Sequence, residues 1–280
     1  MDLSDFGFEK HKFLKKTYAK IYNNDCFKIL PKISSESVNL IFADPPYGLA
    51  KKKGLGWKFS KHITLEQKWD IFTKDELFKF NFQWIKECIR ILKYGGSLWI
   101  SGTFHNIYQI GFIIQFMTNL KINNSIVWFK PNAQPNITCR MFTESTEHLI
   151  WASKNGNGKK WKFNYEMTKN LIHDDLNPKG KQTRNVWWIP LTPKSEKWAG
   201  IHPTQKPIEL LRRIILSCTN EGDTVLDPFL GSGTTSAVAK MLGRNSIGIE
   251  KEKKYLSIIK KRLNPPQRKI GEEALTEIIV

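Results

Sequence analysis

The chain has only four cysteines in 280 residues, and Cys26, Cys88, Cys139 and Cys218 form no Cys-x-x-Cys pair. Thiols so scattered argue against a disulfide framework and against a structural zinc site. The six histidines show no metal-binding spacing either. No apolar run approaches the ~20 residues of a membrane span. The N-terminus, Met1-Asp2-Leu3-Ser4-Asp5, lacks the charged-then-apolar order of a signal peptide, so the expected location is the cytoplasm. Acidic residues are scarce as well: 26 Asp and Glu face 44 Lys and Arg, a net charge of +18. An excess of that size favours a polyanionic partner, nucleic acid first.

What is present is ordinary for a globular protein, with 40% hydrophobic and 25% charged residues. A chain of this length can bury a large core as one domain with an insertion. Residues 21–25 and 38–43 read as strands, and residues 73–92 as an amphipathic helix stopped by Gly95-Gly96. Strands near 97–102, 125–130 and 147–153 surround a helix near 106–119. Regularity returns with a helix at 207–219, strands at 224–229 and 246–250, and helices near 233–242 and up to 263. Strands alternating with helices predict an α/β fold with a mostly parallel, doubly wound sheet. Two stretches interrupt it. Residues 48–72 hold Gly48, Gly54 and Gly56 with lysines that include Lys51, Lys52, Lys53, Lys58 and Lys61, and read as a DNA-facing loop. Residues 154–200, rich in Lys, Asn, Gly and Trp, read as an insertion outside the main sheet, and residues after Pro265-Pro266 as a peripheral tail.

Asp44-Pro45-Pro46-Tyr47 ends the apolar run 38–43. Proline lacks an N–H and fixes φ, so the pair must end the strand and frees the carbonyls beside it. A carboxylate, a carbonyl and an aromatic ring then meet at the carboxyl end of a strand, where open α/β sheets bind ligands. These groups suit holding a planar exocyclic amine with its aromatic base flattened against Tyr47. On its own the tetrapeptide is equally a stiffened strand exit with a capping Asp.

A second constellation, Asp227-Pro228-Phe229-Leu230-Gly231-Ser232-Gly233-Thr234-Thr235, joins a strand to a helix. Gly231 and Gly233 let the backbone approach a ligand, and the hydroxyls can cap a helix whose N–H groups attract anions. It is neither a P-loop nor G-x-G-x-x-G, which disfavours a dinucleotide. Glu250 ends the next strand about twenty residues on, where Rossmann-like folds place an acid on ribose hydroxyls. Upstream, His202-Pro203-Thr204-Gln205-Lys206-Pro207 precedes a helix, and Lys206 could neutralise a ligand carboxylate. Asp25 could accept from an adenine amine, and read unaided it is a helix cap.

Over residues 21 to 263 these motifs, in this order, make the sequence resemble the β-class S-adenosylmethionine-dependent DNA amino-methyltransferases. The resemblance implies a Rossmann-like methyltransferase fold in permuted order. Residues 1–153 would be the catalytic half, 154–200 the target-recognition insertion, 201–264 the cofactor half and 265–280 the tail. It implies that Asp44, Pro45, Pro46 and Tyr47 are catalytic. Asp227, Phe229, Gly231, Ser232, Gly233 and Thr234 would shape the methionine side of the S-adenosyl-L-methionine pocket. Lys206 and Thr204 would meet its carboxylate, Glu250 its ribose, and Asp25 with Cys26 its adenine. The implied reaction is methyl transfer to N6 of a flipped-out adenine in DNA, within a restriction-modification system.

Ser101-Gly102 with His105-Asn106-Ile107-Tyr108, Pro135-Asn136 with Cys139-Arg140, and Glu196-Lys197-Trp198-Ala199-Gly200 resemble the DpnA-type enzymes that act on GATC. HinfI-type enzymes, acting on GANTC, share several of these. DNA is the implied partner, a homodimer is admitted, and a cognate restriction endonuclease is a functional partner. Cytosine-N4 methylation uses the same geometry, usually with Ser in place of Asp44. Cytosine-C5 chemistry needs a cysteine nucleophile, normally after proline, and no cysteine here follows one. The remaining alternatives are an RNA or protein amino-methyltransferase and a non-enzymatic DNA-binding protein on the same fold.

Overall fold

The computed structural model describes residues 17–48, 70–136, 139–172, 174, 182–265 and 275–279. The loop expected at 48–72 therefore lies almost wholly outside the described residues, as do residues 1–16. Nine strands form one sheet in the order β6-β4-β5-β3-β2-β7-β8-β1-β9. They are β1 (Tyr18–Tyr22), β2 (Val38–Ala43), β3 (Leu92–Gly102), β4 (Lys121–Phe129), β5 (Thr146–Ser153), β6 (Val186–Trp188), β7 (Thr224–Asp227), β8 (Asn245–Ile249) and β9 (Leu275–Ile279). Every neighbouring pair is parallel except those made by β5, which runs against β3 and β4. The helices are α1 (Cys26–Ile29), α2 (Lys74–Ile91), α3 (Ile107–Met117), α4 (Tyr165–Leu171), α5 (Ile208–Cys218), α6 (Thr234–Met241) and α7 (Leu256–Leu263). Among the described residues no helix is long and apolar enough to cross a membrane.

The central strands read as unbroken apolar runs because both of their faces are covered. Ile41, Ala43, Leu98 and Ile100 pack with Trp84, Ile85 and Ile91 on one face. Leu40, Phe42 and Trp99 pack with Leu211, Ile214 and Ile215 on the other. Thr73 starts α2 through a capping box with Glu76, fixing the helix that covers β2.

Two expectations are corrected. Gly95-Gly96 do not stop the preceding helix: α2 ends at Ile91, and β3 runs through both glycines, Gly95 at φ 82°. A Cβ on Gly96 would lie 2.8 Å from the Asn39 carbonyl, so close strand approach accounts for that glycine. Nor does the whole 154–200 segment lie outside the sheet. Its β6 pairs with β4, and Trp99 stacks between Trp151 and Trp187 at ring separations of 5.2 and 5.7 Å. Trp187 thus serves to bind the insertion to the core. The tail also returns to the sheet, with β9 on the outer edge of β1.

Candidate active site

From β2 the chain crosses to β3 on one side, and from β7 to β8 on the other. The switch point of this sheet therefore lies between β2 and β7, where a crevice opens at the carboxyl ends of the strands. Four neighbouring strands each lead into an acid at that edge: Asp44 after β2, Asp227 ending β7, Glu250 after β8 and Asp25 after β1. The two motifs read from the sequence, more than 180 residues apart, are thus brought side by side.

Asp44 Oδ1 accepts from the Tyr47 hydroxyl at 2.6 Å and from Ser101 Oγ at 2.5 Å. Its Oδ2 faces Lys206 Nζ at 2.8 Å. Ser101 reaches it because β3 lies beside β2 in parallel register, Phe42 opposite Trp99 and Ala43 opposite Ile100. Among the described residues the Pro45 carbonyl accepts no hydrogen bond, as the double proline predicts. Lys206 Nζ also lies 3.2 Å from the Tyr47 hydroxyl oxygen and 3.4 Å from Glu147 Oε2. Glu147 in turn meets Lys130 Nζ at 3.2 Å. Burial disfavours the Lys206 charge, yet Asp44 and Glu147 outweigh it and hold its pKa well above the usual lysine value. Burial, with Asp44 beside it, pushes the Tyr47 phenol well up, so that hydroxyl stays protonated and donates.

The glycine turn is built as its composition predicts. Gly231 and Gly233 take φ of 57° and 83°, the second opening α6. A Cβ on Gly231 would stand 3.2 Å from His202, and one on Gly233 3.3 Å from the Ile259 backbone. Glu250 secures the turn by accepting from Gly231 N at 2.8 Å and from Glu252 N at 2.7 Å. Asp227 accepts from Phe229 N at 2.9 Å and from Thr235 Oγ1 at 2.5 Å. Burial drives both acids up to a pKa of about 7, against the downward pull of these hydrogen bonds. Phe229 is wedged edge-on against Trp84, which fixes the wall beside the turn.

The remaining expected residues sit less directly. Asp25 caps α1 through Phe27 N at 3.0 Å and pairs with Lys251 at 2.9 Å, so the plain reading as a cap holds. Burial, then Asp25, raises the Cys26 thiol to about 12, leaving it a neutral wall group. The Thr204 side chain is exposed and its N–H turns to His202 Nδ1. Burial lowers His202 to about 4, so it is neutral when it packs on Tyr255.

Three participants were missed from sequence. Glu147 and Lys130 lie in apolar strand ends with no motif around them. Arg262, deep on α7, donates to Ser232 Oγ at 2.9 Å and to Thr234 Oγ1 at 2.6 Å, holding the turn from behind.

A crevice lined by carboxylates, two of them carrying raised pKa values, suits a ligand with a positive centre and several hydroxyl or amine donors. S-adenosylmethionine, with its sulfonium, ribose hydroxyls and adenine amine, has that donor set. No cluster of ligands for a metal ion occurs among the described residues.

Comparison with known proteins agrees. A family model described as DNA methylase matches residues 38–261. The type II methyltransferase M2.LlaDCHI of Lactococcus lactis subsp. cremoris is 46% identical over 90% of this chain and 91% of its own. M2.DpnII of Streptococcus pneumoniae is also 46% identical, with the same coverage. M.HinfI of Haemophilus influenzae is 43% identical over 87% of this chain and 67% of its own. Among solved structures, the M1.HpyAVI complex with SAM superposes with a TM-score of 0.62 at 29% identity, over 88% of this chain and 99% of that one. The cytosine-N4-specific PvuII methyltransferase shares the fold at a TM-score of 0.68 and 21% identity, over 93% of this chain and 92% of that one. With motif order, sheet topology and four-fifths of its length matching, the chain belongs to the DNA methylase family.

Proposed function

We propose that the chain transfers a methyl group from S-adenosylmethionine to N6 of an adenine in DNA, within GATC. The observation that carries this reading is Asp44 beside the Pro45 carbonyl, which accepts no hydrogen bond among the described residues, and the Tyr47 ring, across the switch point from the acid-lined glycine turn. An adenine inside a duplex cannot reach such a crevice, so it must be flipped out. Stacking on Tyr47, worth ~1–3 kcal/mol per base, offsets part of the unstacking cost. Asp44 Oδ2 and the Pro45 carbonyl then accept the two N6 hydrogens. That localises a lone pair otherwise delocalised into the ring and aims it along one direction. Ser101 fixes the carboxylate plane while it does so. The bound cofactor supplies an electrophilic methyl on sulfur, so positioning by these residues accounts for much of the rate. In the pocket, Asp227 and the glycine turn hold the methionine end, Glu250 the ribose and Asp25 with Cys26 the adenine. Thr204 lines the rim.

Residues 154–200 would read the target sequence, with the lysine-rich surface holding phosphates. A cognate endonuclease is the functional partner in the same reading. A homodimer would meet through α3, which carries no charged residue and leaves Tyr108, Phe112 and Phe116 exposed. A monomer at all concentrations in analytical ultracentrifugation would remove that part.

Expression in a methylation-deficient host followed by mapping of modified bases tests the whole. N6-methyladenine at GATC is the expected mark. N4-methylcytosine, or no mark, would overturn the reading, and N6-methyladenine at GANTC or elsewhere would overturn the target alone.

Proton linkage gives a second check. Asp227 and Glu250 titrate at about 7, and a cation binds their ionised forms better. Cofactor affinity should therefore rise as pH goes from about 6 to about 8, with proton release on binding. Calorimetric titration in buffers of different ionisation enthalpy measures that release directly; a flat profile would remove these acids from the pocket.

A further inference from the structure

Asp44 is not free to accept an amine as it stands. Two hydroxyls occupy Oδ1 and the Lys206 ammonium occupies Oδ2. An ammonium at 2.8 Å inside a buried site is a stronger partner than a neutral amine. For Asp44 to serve the target base, Lys206 needs somewhere else to put its charge.

The structure supplies one. Glu147 Oε2 lies 3.4 Å from the same Nζ, within reach of the ammonium if it swings away from Asp44 Oδ2. Glu147 stands at this edge because β5 is the reversed strand of the sheet. Leu149 pairs with Ser101 and His148 with Gly102, so the first residues of β5 meet the last of β3. Lys130, which follows β4, neutralises the other oxygen of Glu147 at 3.2 Å. Charges thus alternate through Lys130, Glu147, Lys206 and Asp44, all with side chains at most 15% exposed.

We propose that Glu147 is a positioning residue that gives the Lys206 ammonium a second seat, releasing Asp44 Oδ2 to the target amine. The proposal rests on the reading of Asp44 as acceptor for that amine. The groups facing Lys206 are Asp44 and Tyr47 after β2, Glu147 on β5, Lys130 behind it and neutral His202 on its own loop. Without Glu147 the ammonium has one carboxylate left, and Asp44 is masked more firmly. Lys206 would also lose its charge at a lower pH, so the defect should ease as pH rises, an effect that a merely structural role would not produce.

The test uses duplexes whose target base is adenine or purine, which lacks the amine, with S-adenosylhomocysteine present and binding read by fluorescence anisotropy. In Glu147→Gln the preference for adenine over purine should fall about 5- to 10-fold and single-turnover methylation about 10-fold. Melting temperature should fall, because Lys130 loses the buried carboxylate it meets, while S-adenosylhomocysteine affinity should stay close to wild type. Glu147→Asp, which keeps the charge but withdraws it by one methylene, should fall between, and it serves should the Gln variant not fold. In a Lys206→Met background the Glu147 change should cost nothing further. An unchanged adenine preference in the folded Glu147 variants, or the same cost in both backgrounds, would overturn the proposal. A wild-type protein indifferent to the amine would instead overturn the reading of Asp44, and the proposal with it.

Discussion

Asp44→Asn should lower methyl transfer by about 10³-fold, the upper range for losing one preorganised electrostatic contact, while leaving cofactor affinity within a few-fold of wild type. The side chain keeps its shape, and its amide oxygen can still accept from Tyr47 and Ser101. Its NH₂ then faces the target amine and Lys206, donor against donor, where an acceptor is required. Lys206 keeps Glu147 as a buried carboxylate partner, so the charge is not stranded and the protein should fold. Asp44→Ala should lose as much activity, with an added stability cost from two orphaned hydroxyls. Transfer of labelled methyl to DNA, alongside cofactor titration, separates the two quantities. A variant within about tenfold of wild-type rate would remove Asp44 from the chemistry, since the effect rests on one hydrogen-bonding contact.

Such a prediction could be framed from sequence because each of the four acids ends or follows a strand, and for Asp25, Asp44 and Asp227 the strand end is marked by the switch from apolar run to Asn or Pro. Asp44-Pro45-Pro46-Tyr47 and Asp227-Pro228-Phe229-Leu230-Gly231 announce themselves in that way. Their adjacency followed from the alternation of strands and helices, because a doubly wound sheet turns two distant strand ends into one crevice. Glu147 was illegible for the opposite reason. It precedes an apolar run as any solvated residue would, and only the reversal of β5 and its register with β3 put it beside Lys206.

Lys206 itself was placed on a cofactor carboxylate, whereas in the structure its nearest partner is Asp44. A lysine before a helix carries no information on which acid it will meet across 162 residues. β6 was missed because its three residues are too short for period-two alternation to show, and its attachment depends on a Trp99–Trp187 stack spanning distant segments. Gly95 and Gly96 misled because a glycine pair signals a helix end more often than a strand crowded by its neighbour.

Asp227→Asn should move stability and cofactor binding in opposite directions. Asp227 is 2% exposed, and burial raises its carboxyl from an ordinary 3.8 to about 7 in the folded protein. Between those values the folded chain holds a proton that the unfolded chain has released. Stability therefore falls as pH climbs through the window, and the loss is complete above about 7. Asparagine removes that cost without opening the hydrogen-bond network. Its carbonyl can accept from Phe229 N, and its NH₂ can donate to Thr235 Oγ1, whose hydroxyl reverses its role. At a pH of about 8 the variant should gain about 1–3 kcal/mol and melt several degrees higher, a gain that should vanish near pH ~4. The same change withdraws a negative charge from the place proposed for a cationic ligand, and cofactor affinity should fall about 10- to 100-fold. Scanning calorimetry at the two pH values, with titration at the higher one, measures both. Wild-type affinity in the variant would take Asp227 out of the pocket. A melting temperature unchanged at about 8 would mean that its ionised form costs the fold nothing. Both changes together would show that the chain retains a buried acid at the expense of stability because its ligand is a cation.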